Sequence, residues 1–383
     1  MIDRTAPDSA RRADRSRSTI RKYIGLVVVV VLLAAGWSGF WYYAVGKAEQ
    51  AIAGWKAREA KVGRIYTCGQ ETLSGFPFRI EVRCDLARAE FTQVTPKLDI
   101  KTTGVLVAAQ IYQPTLLISE FTGPLSVAEA GKPPSFIANW KLGQTSVRGT
   151  PNAPERVSIV LDGPSVVRMT SSGTEPFAKA DHFELHGRML EGSASKNPVI
   201  EVALRSTQAS LPGVNPLMVA PIDSEIDAVL RGLKDFGPKS WADRFREIQA
   251  SGGSIDIPQA RVQQGDTIAV GRGNLTINAN GRLDGQLRVT VVGVEQFLNA
   301  LGSDRIAAAN PNVDRLAGTL DRLMPGLGTM ARQRAGTGIA AGLNLIGEPT
   351  TLEGKKAIAL PLRFDDGAMF LGPVPLGVTP ALF

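Results

Sequence analysis

Polar and apolar positions change their spacing several times along this chain. From Ile24 to Val45 there are 22 residues without a charge, enough for a helix to cross a bilayer core, which takes about 20. The run ends in an aromatic cluster, Trp37, Phe40, Trp41, Tyr42 and Tyr43, the residue types that favour a membrane–water boundary. Beyond it Ala48, Ile52 and Trp55 recur at helical spacing among Glu49, Lys56, Arg58 and Glu59. This predicts that the helix continues as a 46–63 extension packed on the first strands, with Gly63 as its stop.

From Arg64 the period shortens to two. Phe78, Ile80, Val82, Cys84 and Leu86 fall on one face of a predicted strand, and Arg79, Glu81, Arg83 and Asp85 on the other, the signature of a half-buried strand. Residues 64–73, Thr115–Phe121, Ser135–Val147, Arg156–Val160, His182–Leu190 and Val199–Ser206 are further candidates. Over 222–250 the stripes Ile222, Ile226, Val229, Leu230, Leu233 and Trp241, Phe245, Ile248 read as two short helices separated at Pro238. A second β section follows with Ser254–Ile257, Ala260–Gln263, Ile268–Ile277 and Leu283–Val292. Helices are expected over 294–345, then strands Ala357–Phe364 and Ala368–Leu371 and a Pro-rich end. The fold class is therefore α+β. A β-rich antiparallel sheet, curved or groove-forming, carries helical insertions behind one N-terminal transmembrane helix. The expected segments are a tail over 1–22, the membrane helix over 23–45, β-rich structure over 64–221, helices over 222–250 and a second β section over 251–383.

Charge sharpens the first segment. Arg4, Arg11, Arg12, Arg15, Arg17, Arg21 and Lys22 stand against Asp3, Asp8 and Asp14, so the tail, read as disordered, is expected on the cytoplasmic side and the bulk beyond the membrane. A cleaved signal sequence has a shorter apolar core and a small-residue cleavage site; the longer run and its aromatic end favour a retained, single-pass anchor. With the tail set aside, the net charge of +7 falls to +3. The basic pI reflects topology, and nothing resembles a basic groove with interleaved aromatics, so nucleic acid is not an expected partner.

Cys68 and Cys84 are the only cysteines. On the oxidising side of a membrane such a pair suggests a disulfide. A hairpin centred on Phe76 would place them directly opposite one another; two free buried thiols are the other reading. Gly75-Phe76-Pro77-Phe78 reads as a rigid turn presenting rings, expected to cap the core beside the cysteines rather than to touch a ligand.

The stretch Ser74-Gly75-Phe76-Pro77-Phe78-Arg79-Ile80, shortly after a lone anchor and a Trp-bearing helix, resembles a bacterial envelope family, domain of unknown function 2125. The paired cysteines fit it, as does Gly372-Pro373-x-Pro375-Leu376-Gly377 near the C-terminus. The resemblance covers residues 20–383. It implies an inner-membrane anchor with the bulk in the periplasm of a Gram-negative cell, and no activity. A wider resemblance, to AsmA-like envelope proteins, rests on Ser254-Ile255-Asp256-Ile257, Gly271-Arg272-Gly273-Asn274-Leu275-Thr276-Ile277 and Asn280-Gly281-Arg282-Leu283-Asp284-Gly285. It implies a β-lined groove that shelters lipid.

No reactive constellation stands out, and an enzyme is not expected. His182, Glu184 and His186 share a strand face as conceivable metal ligands, but HExxH and a further nearby carboxylate are missing, so a solvated face is the simpler reading. Gly336-x-Gly338-x-x-Ala341 follows no expected strand and fails as a dinucleotide fingerprint. Asp365-Asp366 before a glycine reads as a turn. Catalytic, cofactor and metal sites are thus each expected to be absent. The expected role is envelope maintenance, by binding lipid or another hydrophobic ligand in a β-lined groove. The alternative is a scaffold for another envelope protein.

Overall fold

In the computed structural model, residues 9–150, 153–213, 218–236, 239–294, 296, 347–372 and 374–383 are described, with side chains from Lys22 onward. The expected helices over 294–345, the Gly336–Ala341 motif and Pro373 lie largely or wholly outside them. Among the described residues, a long first helix, α1 (Ser9–Lys61), leads into twenty strands. It ends where expected, with Gly63 at φ 76°. It begins within the basic tail, so the tail expected as disordered over 1–22 is helical from Ser9.

The strands are β1 (Arg64–Thr67), β2 (Gln70–Ser74), β3 (Arg79–Phe91), β4 (Leu98–Gln110), β5 (Gln113–Glu129), β6 (Pro134–Asn139), β7 (Leu142–Thr150), β8 (Ala153–Asp162), β9 (Ser165–Thr170) and β10 (Gly173–Lys179). They continue as β11 (His182–Ser193), β12 (Lys196–Ala209), β13 (Ile222–Leu230), β14 (Ser254–Gln264), β15 (Thr267–Ile277), β16 (Leu283–Val292), β17 (Glu348–Leu352), β18 (Lys355–Asp365), β19 (Ala368–Leu371) and β20 (Val374–Val378). Pairing among them is antiparallel throughout, so the expected sheet is present. The main ladder runs β3-β4-β5-β7-β8-β11-β12-β13-β14-β15-β16-β18. A flap of β6, β9 and β10 branches from the far half of β5.

Three sequence expectations are corrected. Ile222–Leu230 is a strand, not a helix. Its apolar residues fit a helical stripe, but Ile222, Ser224, Ile226, Ala228 and Leu230 also alternate, and the open edges of β12 and β14 supply hydrogen bonds that a helix would leave unmade. The second helix is real: α2 (Trp241–Ala250) starts at Ser240, whose hydroxyl accepts from Asp243 N. Ser135–Val147 divides into β6 and β7 at Trp140-Lys141, where the Trp140 indole donates to Phe121 O at 2.7 Å. Leu86 leaves the apolar face of β3: it sits at φ 51° and 70% exposed, unpaired in a ladder whose register to β4 is the same on both sides, and the apolar alternation resumes out of phase with Ala87, Ala89 and Phe91.

The packed core lies at the C-terminal end of the ladder. Leu275, Leu287, Val289, Val291, Leu360, Phe364 and Leu371 form one buried cluster, joined by Leu376 of the C-terminal motif. A second cluster packs Ile248 of α2 with Leu233, Ile277, Leu382 and Phe383.

Candidate functional site

Directly opposed residues of an antiparallel ladder share a face, so the register defines one continuous row. It runs Val82, Val107, Ser119, Thr145, Ile159, Leu185, Leu204, Ile226, Ala260, Gly271, Val289, Leu360 across twelve strands. The neighbouring rows on this face add Phe121, Val147, Leu161, Phe183, Val202 and Leu230. Only the C-terminal end is closed. Leu360 is 2% exposed and Val289 is buried, whereas every member of the row from Val82 to Ile226 is only partly buried. Among the described residues, no second layer covers the largely apolar face of the first eight strands of the ladder.

The opposite face is polar. One row reads Arg83, Leu106, Glu120, Gln144, Val160, Glu184, Arg205, Glu225, Arg261. Gln144 donates to Glu120 at 2.8 Å, and Arg205 pairs with Glu225 at 3.0 Å. A cleft of about 470 Å³ on this side is lined by residues that include Arg156, His186, Arg188, Glu201, Arg205 and Asp227.

The His182, Glu184 and His186 set lies here. His182 Nδ1 is 2.5 Å from Asp162 Oδ1, its Nε2 is 2.8 Å from Glu184 Oε1, and His186 Nε2 is 2.8 Å from Glu184 Oε2. Each of these nitrogens faces a carboxylate instead of converging on an ion site, and among the described residues no group of three or more His, Cys, Asp and Glu is arranged to hold a metal. The hydrogen bonds from Glu184 and then Asp162 push the His182 pKa up. Those from His186 and His182 pull Glu184 down.

The aromatic residues that end the apolar run meet the Gly75–Phe78 turn. Trp37 and Trp41, four residues apart on one face of α1, donate their indole N–H groups to Pro77 O at 2.8 Å and Arg79 O at 2.9 Å. Trp41 meets Phe76 edge-on with ring centres 5.4 Å apart, and Trp37 lies 6.0 Å from Phe78. Trp41 is only 6% exposed, while Phe76 and Phe78 remain 54% and 61% exposed. Tyr42 and Tyr43 face outward. The rings of the turn therefore do not cap the core beside the cysteines; they clasp the helix. Gly75 makes the turn possible, since it sits at φ 105° where a Cβ would lie 2.7 Å from Arg79 O. Further along α1, Trp55 stacks on Tyr66 at 4.7 Å, and Lys56 pairs with Glu71.

Cys68 and Cys84 are joined, with Cα atoms 5.4 Å apart. Their setting differs from a simple hairpin about Phe76. Cys84 lies opposite Glu71 in the ladder, and Cys68 occupies the break between β1 and β2. The bond thus stitches the two short edge strands to β3. At the other end, Gly372 N donates to Pro361 O at 2.8 Å, Pro375 lies opposite Phe370, and Gly377 has φ 137°, so the C-terminal motif is the β19–β20 hairpin. The Asp365-Asp366 turn is present: Asp366 accepts from Asn278 and Asn280.

Sequence reasoning found both members of the clasp separately and missed that they touch. The signal was present in the equal spacing of Trp37 and Trp41 on one helix face, but the chain carries no direct mark of what that face meets.

No curated protein matches the sequence. A family model described as "Uncharacterized protein conserved in bacteria (DUF2125)" matches residues 41–380, which takes in the clasp from Trp41 onward, both cysteines, the whole ladder and the C-terminal hairpin. The chain belongs to the DUF2125 family of bacterial proteins.

Proposed function

We propose that this chain is a single-pass protein of the bacterial inner membrane whose open sheet face holds an acyl chain or another hydrophobic ligand, without catalysing a reaction on it. The N-terminus lies in the cytoplasm and the sheet in the periplasm. The observation that carries the reading is the row from Val82 to Ile226, apolar on six of its eight strands and only partly buried along its length. Those strands offer seven spacings of about 4.8 Å, roughly 34 Å, long enough for an extended acyl chain; where the row passes through Ser119 and Thr145, Phe121 and Val147 keep the face apolar. Burying about a dozen methylenes there gains about 10 kcal/mol before the costs of binding. The strand pattern of 254–285, which resembles AsmA-like proteins, supports the same reading: it folds as the consecutive antiparallel strands β14, β15 and β16. The exposed apolar residues from Ile24 to Leu33 support a retained anchor, as does the clasp, since removing the helix would uncover the turn that Trp41 shields.

The test is to extract the full chain from membranes in mild detergent and identify what travels with it by native mass spectrometry. Bound acyl lipid that is lost from a Leu185→Glu, Leu204→Glu variant is the expected result. A ligand-free protein, or one whose lipid survives those substitutions, overturns the reading.

One observation favours a second reading, a protein partner on the polar face. Arg148, Arg156 and Arg188 stand side by side on β7, β8 and β11. Among the described residues only Arg188 of the three has an ion-pair partner, Glu201 at 2.7 Å. Directly opposed like charges are unfavourable, and an acidic partner would relieve them. Crosslinking in cells from position 156 tests this.

A further inference from the structure

Resting on the anchor reading above, we infer that the Gly75–Phe78 turn and the β4–β5 hairpin tip are immersed in the far leaflet of the membrane that α1 crosses. They form the mouth through which the apolar sheet face takes acyl chains directly from that leaflet.

The depth follows from helix geometry. Lys22 is the last charge before the apolar run and Lys47 the first after it. At 1.5 Å per residue, Trp37 and Trp41 lie about 20 and 25 Å above Ile24, inside a hydrocarbon core about 30 Å thick. The carbonyls of Pro77 and Arg79 are fixed to those two indoles, so the turn is held at the same level. It cannot sit out in water while α1 spans the bilayer.

The chemistry of the turn suits that location. Backbone oxygens away from water need a donor, and the indole N–H groups supply one to Pro77 and one to Arg79. Phe78 O is likewise satisfied, accepting from Ile111 N at 3.0 Å, which fixes the β4–β5 tip beside the turn. The large side chains around these bonds, Phe76, Phe78, Tyr112 and Phe40, are each about half-exposed or more, an aromatic rim of the kind found at membrane interfaces. Arg79, ion-paired with Glu81 at 2.8 Å and largely exposed, has the reach to snorkel toward headgroups.

The register then sets the direction. The first apolar residues beyond this rim are Ile80 and Val82 on β3, Ala109 and Val107 on β4, and Leu117 on β5. These open the face that runs on to Ile226. Lipid tails around the rim therefore lie against the start of the apolar face with no aqueous step between them.

Two measurements on the full chain in lipid nanodiscs test the inference. A photoreactive phenylalanine analogue in place of Phe78 or Tyr112 should crosslink to acyl chains, whereas the same analogue at Arg83, on the polar face of β3, should not. In vesicles containing an acyl-chain diazirine phospholipid, the triple variant Phe76→Ser, Phe78→Ser, Tyr112→Ser should label its sheet at least tenfold more slowly than wild type. The same variant should take up a photoreactive fatty acid from detergent micelles as well as wild type does. No crosslink at Phe78 and Tyr112, or labelling of the variant at the wild-type rate, overturns the inference. Failure of wild type to take up the fatty acid from micelles counts instead against the lipid-binding reading, and the crosslinks at Phe78 and Tyr112 still decide the immersion.

Discussion

The two ends of the ladder share one strand grammar and differ in what covers it. In β3, β8, β11, β12 and β13, and again in β15 and β16, alternation sends Val, Ile and Leu mostly to one face and polar residues mostly to the other. Yet Leu360 is 2% exposed while Leu185, in the same row, is only partly buried. At the C-terminal end α2 and the terminal Leu382-Phe383 pack against the sheet, and the β19–β20 hairpin adds Leu371 and Leu376 to the buried cluster; among the described residues nothing comparable buries the N-terminal strands. Alternation decides which face is apolar. Whether that face becomes a core or a binding surface depends on what else the chain lays over it.

Substitutions along the shared row give the sharpest contrast. Leu360→Ala should cost about 2–5 kcal/mol in denaturant unfolding, because it leaves a cavity in a closed core. Leu185→Ala should cost less, about 1–2 kcal/mol, since part of its side chain is already in contact with solvent. Equal costs would mean that the two regions are packed alike.

Removing the Cys68–Cys84 bond by a double serine replacement should lower stability by about 3 kcal/mol on the chain-entropy account of a loop this size. The loss should concentrate at β1, β2 and the near end of β3, read by hydrogen exchange, and leave the β16–β18 core protected. Next in size comes the clasp. Trp41→Phe keeps a ring but deletes the donor to Arg79 O, and should cost about 1 kcal/mol, with faster exchange around residues 75–80.

The smallest effect is one of pH. His182 titrates above its ordinary 6.5 because its ring is hydrogen-bonded to Glu184 and Asp162. Its contribution to stability is therefore complete below that ordinary value and is lost as pH rises through the higher folded value. Glu184, pulled below 4.5 by His186 and His182, contributes above its ordinary value and loses that contribution as pH falls through the lower one. Wild type should lose a little stability as pH rises above the ordinary 6.5 that His182→Gln does not. Parallel profiles would show that the half-exposed cluster is energetically idle.

Much of the fold was legible in the chain, and the failures have physical causes. The N-terminal apolar helix, its stop at Gly63, the strands at 254–292 and the pairing of the two cysteines follow from period and residue type. Ile222–Leu230 was misread because nine residues fit either period, and only the presence of β12 and β14 on both sides decides between them. The flap strands β9 and β10 went unnoticed: Ser165–Thr170 and Gly173–Lys179 alternate poorly, and a cation, Arg168, rests against the Phe136 and Phe177 rings. Strand β4 was missed because Val105, Leu106, Val107, Ala108 and Ala109 are apolar on both faces. The clasp is a contact between residues about forty apart, and no local pattern encodes its partner.

The account rests on the N-terminal sheet face being open to a hydrophobic ligand, and adjacent residues on β11 test it most directly. With a photoreactive residue at Leu185 or at His186, in the full chain within native membranes, the account predicts acyl-lipid adducts from position 185 and none from 186. Adducts from neither position, or equally from both, would contradict it.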